Sequence, residues 1–489
     1  MFQMRKRGAA LTAHLFLWIC ASLAAAGPAS AQEDAQTELR DFDFVVGIVE
    51  ADYAGFPTKT AGDKLAEYER AKSDARAAIA QEPERAVMEI RNLLGWFEDG
   101  HLGLSGPPSG SSAPAGERSG EGVNAKRAVT EEDARAAYTA DPQSIAGIWS
   151  TPSGSYRLAV VPSEAVEGAY DAVILASQSS NWVAGDIKAR IGQDGEATWW
   201  MGDRSERKVD AWASDSAIRF ADVDVTLLRD FPATGIDRDR IVPADEFFLR
   251  QLSPDTLWLR LPDFASENRK TIEALLADND ALIRSTPNLI VDIRDNSGGS
   301  DASYERLMSY LYTRPIYSIG VEFRNTPRNV ETLASMIAGL DLPQETLDYV
   351  NTLLDRMRAS DAEWVQSDPR GFSITTYPEI MPFPQRVGIL GAGAGSSGDQ
   401  FVIDARFSRK TTLFGGPTAG VIDFSNVIEA PLPSNGDYLL RWPTSRSGRL
   451  PEEPLDNVGV QPDVPFGPEV IDPVGRAMEL LEGAAAPIR

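Results

Sequence analysis

Cysteine is nearly missing from this chain: Cys20 is the only one in 489 residues. No intrachain disulfide and no cysteine-built metal site can come from it. Histidine is scarce too, with only His14 and His101. A zinc site of the two- or three-histidine type is therefore nearly excluded. Positive charge is also short: Lys+Arg number 47 against 72 Asp+Glu, a net charge of −25. Such an acid excess opposes polyanion binding, so nucleic acid is not an expected partner. What is present is a folded protein's composition, 43% hydrophobic and 24% charged. The length exceeds one simple core, so about two to four domains are expected.

The N-terminus reads as an export address. Arg5, Lys6 and Arg7 precede an apolar, uncharged run from Leu11 to Ala26, and Ala29-Ser30-Ala31 has the small-x-small pattern of a signal-peptidase site. Residues 1–31 are expected to be a cleavable signal peptide, with an uncleaved anchor as the competing reading. Cleavage removes Cys20 and His14 and leaves His101 as the one histidine. A cysteine-free exported chain fits a periplasmic or secreted location. Membrane contact is then expected only through the transient signal peptide.

Residues 32–104 read as a helical region carrying His101. Apolar spacings of three and four run from Lys64 to Ile79 and from Ala86 to Phe97, with Pro83 between them. Ser105 to Asn124 is rich in Ser, Gly and Pro, and residues 105–140 are expected to be a flexible linker. Short strands punctuated by turns follow, so residues 141–235 are expected to form a small antiparallel barrel or sandwich. Most of Trp182, Trp199 and Trp200 should lie in its core. Across residues 236–489 strands such as Leu289–Ile293 alternate with helices such as Ile272–Ile283, the α/β pattern. Met336–Arg358 reads as a helical insertion.

Three places can carry chemistry. Asp295-Asn296-Ser297-Gly298-Gly299 follows a buried strand, where two glycines allow a sharp turn and bare N–H groups. Gly395-Ser396-Ser397-Gly398-Asp399 lies between the strand Val387–Leu390 and a helix from Gln400. Such a turn can expose a serine hydroxyl at a helix N-terminus, where the dipole favours developing negative charge. Gly393, Gly395 and Gly398 also match a dinucleotide fingerprint, but Gly416, Pro417 and Thr418 stand where its acidic residue belongs. The third place is Phe97-Glu98-Asp99-Gly100-His101, which holds the only imidazole expected after export.

Together these segments resemble the tail-specific, or C-terminal processing, family of serine peptidases. Leu289 to Gly299, Gly395 to Phe401, Gly415 to Gly420 and Asn457 to Asp463 carry the resemblance in order, with Asp99-Gly100-His101 upstream. It implies an α/β fold with a crotonase-like core, an N-terminal helical segment and an inserted small antiparallel β domain. One branch pairs its serine with a lysine about 25 residues downstream. That position is Val421 here, and no lysine follows Lys410. The branch like the tricorn protease core uses an upstream histidine instead, and this chain resembles that one. Gly100 stands where that core has a relay serine. The inserted domain lacks the carboxylate-binding loop of a PDZ domain.

The resemblance implies Ser396 as nucleophile, His101 as base and Asp456 as supporting acid, with Glu453 and Asp99 as open alternatives. N–H groups of Ser397 and of Gly298 or Gly299 would hold the oxyanion. The implied partner is a peptide or protein substrate, and neither a metal nor an organic cofactor is required. A second class remains open: a catalytically inactive module binding peptides or small apolar ligands, with Ser396 as a simple helix cap.

Overall fold

The computed structural model describes residues 28–107, 126–223, 225–235, 237–338 and 344–484. The signal-peptide reading falls largely outside them, as does most of the Ser105–Asn124 segment. No helix among the described residues is long and apolar enough to cross a membrane.

Eight antiparallel strands between Gly147 and Phe231 form a closed barrel, the first pairing with the last. Closure removes both sheet edges. The buried apolar cluster of this body includes Trp149, Trp182, Trp199 and Trp200, so these tryptophans are core as expected. The linker expectation for residues 105–140 needs correction. Glu131–Ala140 is a helix that packs on the barrel through the fully buried Ala134. A reciprocal capping box between Thr130 and Asp133 starts it, a local signal strong enough to fix a short helix.

The second body is a six-stranded sheet running 248–253, 256–260, 288–292, 386–390, 411–415 and 464–465. Its first pair is antiparallel and the remaining pairs are parallel. The three strands 256–260, 288–292 and 411–415 are buried along their whole length, in keeping with the apolar centres of their sequences. Helices cover both faces: Arg269–Asp278, Glu305–Leu311 and Ser397–Ala405 on one, Pro473–Gly483 on the other.

The N-terminal helices do not form a separate body. Pro28–Ala51, Lys64–Gln81 and Ala86–Gly95 share one apolar core with Phe323, Leu333, Leu354 and Trp442 from the C-terminal half. The Met336–Arg358 region takes in the end of one helix, Pro327–Ala338, and all of a second, Gln344–Arg358, and both helices pack into this core. The strand Gly103–Ser105 pairs antiparallel with Leu439–Ser447. That pairing brings the segment just after His101 to the C-terminal half of the chain.

Candidate active site

The strand Arg386–Leu390 ends at the carboxyl edge of the parallel sheet, where open α/β sheets place their ligand crevices. The chain then turns through Gly391–Gly395 and enters the helix Ser397–Ala405. Ser396 sits at the corner with φ 56° and ψ −119°, a backbone state that glycine prefers. Its side chain makes no capping hydrogen bond to the helix. The hydroxyl is thus held on a strained elbow and not spent as an N-cap.

The glycine loop after Asp292 packs directly on this elbow. A Cβ on Gly298 would come within 2.6 Å of Ser396 Cβ and 2.8 Å of the Gly395 carbonyl. A Cβ on Gly299 would lie 2.3 Å from the Phe264 backbone. Asn296, fully buried, anchors the loop: its amide donates to the Leu261 carbonyl and its Oδ1 accepts from Gly298 N at 2.8 Å. The Gly298 N–H is therefore already committed, which removes it as an oxyanion donor. Gly299 differs. Phe264 N–H donates to Gly298 O and Ser300 N–H donates to Phe264 O, so this parallel bridge points the Gly299 N–H the other way. Ser397, the first helical residue, has its N–H outside the helix ladder.

His101 arrives from the other half of the molecule. Its Nδ1 lies 2.6 Å from the Phe424 carbonyl oxygen. A carbonyl can only accept, so Nδ1 carries the proton and Nε2 keeps its lone pair, the tautomer a general base needs. The His101 backbone N–H donates to Asp99 Oδ1 at 2.9 Å, and Tyr53 OH donates to Asp99 Oδ2 at 2.7 Å. Burial raises the Asp99 carboxyl above its usual range and pushes the Tyr53 phenol well above its own. Among the described residues no hydrogen bond joins Ser396 to His101. Resting active sites commonly keep this contact long until substrate closes it.

The expected acid contact needs correction as well. Asp456 does not touch the imidazole. Its Oδ1 accepts from Ile422 N and Asp423 N at 3.1 and 2.9 Å, and its Oδ2 faces Lys59 Nζ at 3.6 Å. Burial first, then the nearby Asp99 and Asp423 charges, lift its carboxyl to about 6. Asp99 holds the backbone of His101, not its ring. Glu453 is exposed. The ring-orienting acceptor is a main-chain carbonyl, which no side-chain motif can announce. Asp456 acts one step back, fixing the Ile422–Asp423 backbone that leads into Phe424.

Behind the two loops, between barrel and sheet, lies a cavity of about 690 Å³. Tyr156, Arg219 and Thr226 line it from the barrel, and Asp295, Ala392 and Gly416 from the core. Neither Ser396 nor His101 faces it.

Residues 255–466 match the family model of peptidase family S41. This segment belongs to peptidase family S41. The chain is accordingly a serine peptidase, acting on peptide or protein substrates. The structure "Structure of mature CPAF complexed with lactacystin" is similar over 92% of this chain and 97% of that one, at 14% identity and a TM-score of 0.52. "Crystal Structure of mature CPAF" is similar over 92% and 96%, at 13% identity and a TM-score of 0.50. At that identity the likeness concerns the fold. No curated protein matches the chain.

Proposed function

We propose that this S41 peptidase is an exported endopeptidase that cleaves unfolded or periplasmic proteins through a Ser396–His101 mechanism, on a crotonase-like core. The carrying observation is the Phe424 carbonyl on His101 Nδ1 at 2.6 Å, which leaves Nε2 free to accept a proton. Ser396 Oγ attacks the peptide carbonyl carbon and its proton passes to Nε2. The oxyanion is held by the N–H groups of Ser397 and Gly299, each such donor typically contributing about 3–4 kcal/mol. As the C–N bond breaks, Nε2 returns the proton to the leaving amine. Water, activated the same way, then releases the acyl group. Asp456 supports the base at a distance, through the backbone that presents Phe424. Export rests on the charged, apolar and small-residue pattern of residues 1–31.

A fluorophosphonate probe tests the reading. It should label the wild-type serine, fail on Ser396→Ala, and label Ser397→Ala well. His101→Gln should lower turnover about 10³-fold without unfolding the protein. A labelled, active Ser396→Ala protein would sink the assignment.

A further inference from the structure

We propose that Asp399 is a positioning residue that locks the Ser396 elbow to the loop orienting His101. The inference rests on the Ser396–His101 reading and adds a residue to it.

Asp399 is fully buried in the first turn of the helix Ser397–Ala405. It stands three residues after the N-cap Ser396, the place where an acid commonly serves a helix N-terminus. Capping the helix would require no more than this. Yet Oδ1 accepts from Gly420 N at 3.1 Å and Oδ2 from Val421 N at 2.9 Å, donors 21 and 22 residues downstream. One carboxylate thus ties the helix that Ser396 opens to a second loop.

That second loop leads to the base. After Val421, the N–H groups of Ile422 and Asp423 are held by Asp456, and the next carbonyl, Phe424 O, orients His101 Nδ1. Val421 itself packs against Gly100 and Gly395, the residues preceding His101 and Ser396. The loop has little slack. A Cβ on Gly420, at φ +67°, would strike the Leu455 carbonyl at 2.2 Å. Displacing Asp399 therefore moves Ser396 and the His101 acceptor relative to each other, while Gly298 and Gly299 remain anchored by Asn296 and Phe264.

Asp399→Asn tests this with almost no change of volume. The amide nitrogen cannot accept, so one of the two backbone donors, Gly420 N or Val421 N, loses its partner. Using the full chain, kcat and KM on a quenched fluorescent peptide and the rate of fluorophosphonate labelling are measured for wild type, Asp399→Asn, Val421→Ala, Ser396→Ala and His101→Gln. The expected result is a kcat for Asp399→Asn lower by about 10²-fold, with KM unchanged and labelling slowed in parallel. Wild-type kcat, or a rise in KM alone, overturns the inference. If Asp399→Asn fails to fold, Val421→Ala decides. A lower kcat at unchanged KM supports the coupling, and wild-type kinetics overturn it. A wild type that is not labelled, or an equally labelled Ser396→Ala, sinks the underlying mechanism instead, so the two failures are distinct.

Discussion

Gly100 lies so close to Val421 that a Cβ at position 100 would come within 2.9 Å of Val421 Cγ1. The valine fills the position where the serine–lysine branch keeps its lysine. The glycine stands where the tricorn-like branch keeps a relay serine. In this chain a larger residue at position 100 needs a smaller one at position 421. With the relay gone, the ring is oriented by the Phe424 carbonyl.

The first prediction concerns this pair. Gly100→Ser should clash with Val421 and lower both Tm and activity. Val421→Ala should relieve part of that loss in the double variant, although it is damaging alone. A double-mutant cycle should show coupling of about 0.5–3 kcal/mol. Strict additivity in thermal unfolding would mean that the contact is absent in solution.

Ser396→Gly should separate stability from catalysis. The φ 56°, ψ −119° corner strains serine but suits glycine, and such strain amounts to about 1–3 kcal/mol. The variant should melt at a higher temperature than wild type and hydrolyse nothing. A lower Tm would refute the strain.

Asp456 should make stability pH-dependent in a defined direction. Its folded pKa of about 6 lies above the ordinary aspartate value, so the folded state binds the proton more tightly than the unfolded chain. Ionisation therefore destabilises the fold above about pH 6, and that cost fades as pH falls through 6 toward 4. Asp456→Asn keeps the acceptor for Ile422 and Asp423. It should raise Tm at pH 8 and have little effect near pH 4. An equal shift at both values would contradict the raised pKa.

Tyr53→Phe removes the donor to Asp99 Oδ2 while leaving the ring stacked edge-on against Phe97. Loss of a buried hydrogen bond to a charged group should cost about 1.5–3 kcal/mol in urea unfolding. Activity should fall less than in His101→Gln, because Asp99 still holds the His101 backbone. Unchanged stability would show that the bond contributes nothing.

Local patterns made much of this protein legible in its sequence. Apolar spacing located the helices Lys64–Gln81 and Ala86–Gly95, and turn-punctuated β-rich runs located the barrel. The elbow at Ser396 followed from small residues between a strand and a helix. What escaped was tertiary. Phe424 contributes a carbonyl, and every residue has one. Asp399 looked like first-turn helix chemistry because Gly420 and Val421 are distant in sequence. Gly298 suits a donor role by its sequence, but its N–H is already taken by Asn296 Oδ1. The helix Glu131–Ala140 did carry a readable signal, Thr130 three residues before Asp133, next to a Gly- and Ser-rich stretch that suggested a linker.

Phe424 lies 323 residues downstream of His101, and the strand that carries the chain past His101 pairs with Leu439–Ser447. Contacts of such sequence separation close late, after local helices and hairpins have formed. The base acquires its orienting acceptor only when the second half of the polypeptide has been made and has folded back onto the first. A nascent or truncated chain ending before Phe424 carries a histidine without that acceptor. Under the proposed Ser396–His101 mechanism, synthesis order thus acts as a built-in delay, and proteolytic competence appears only with the nearly complete molecule.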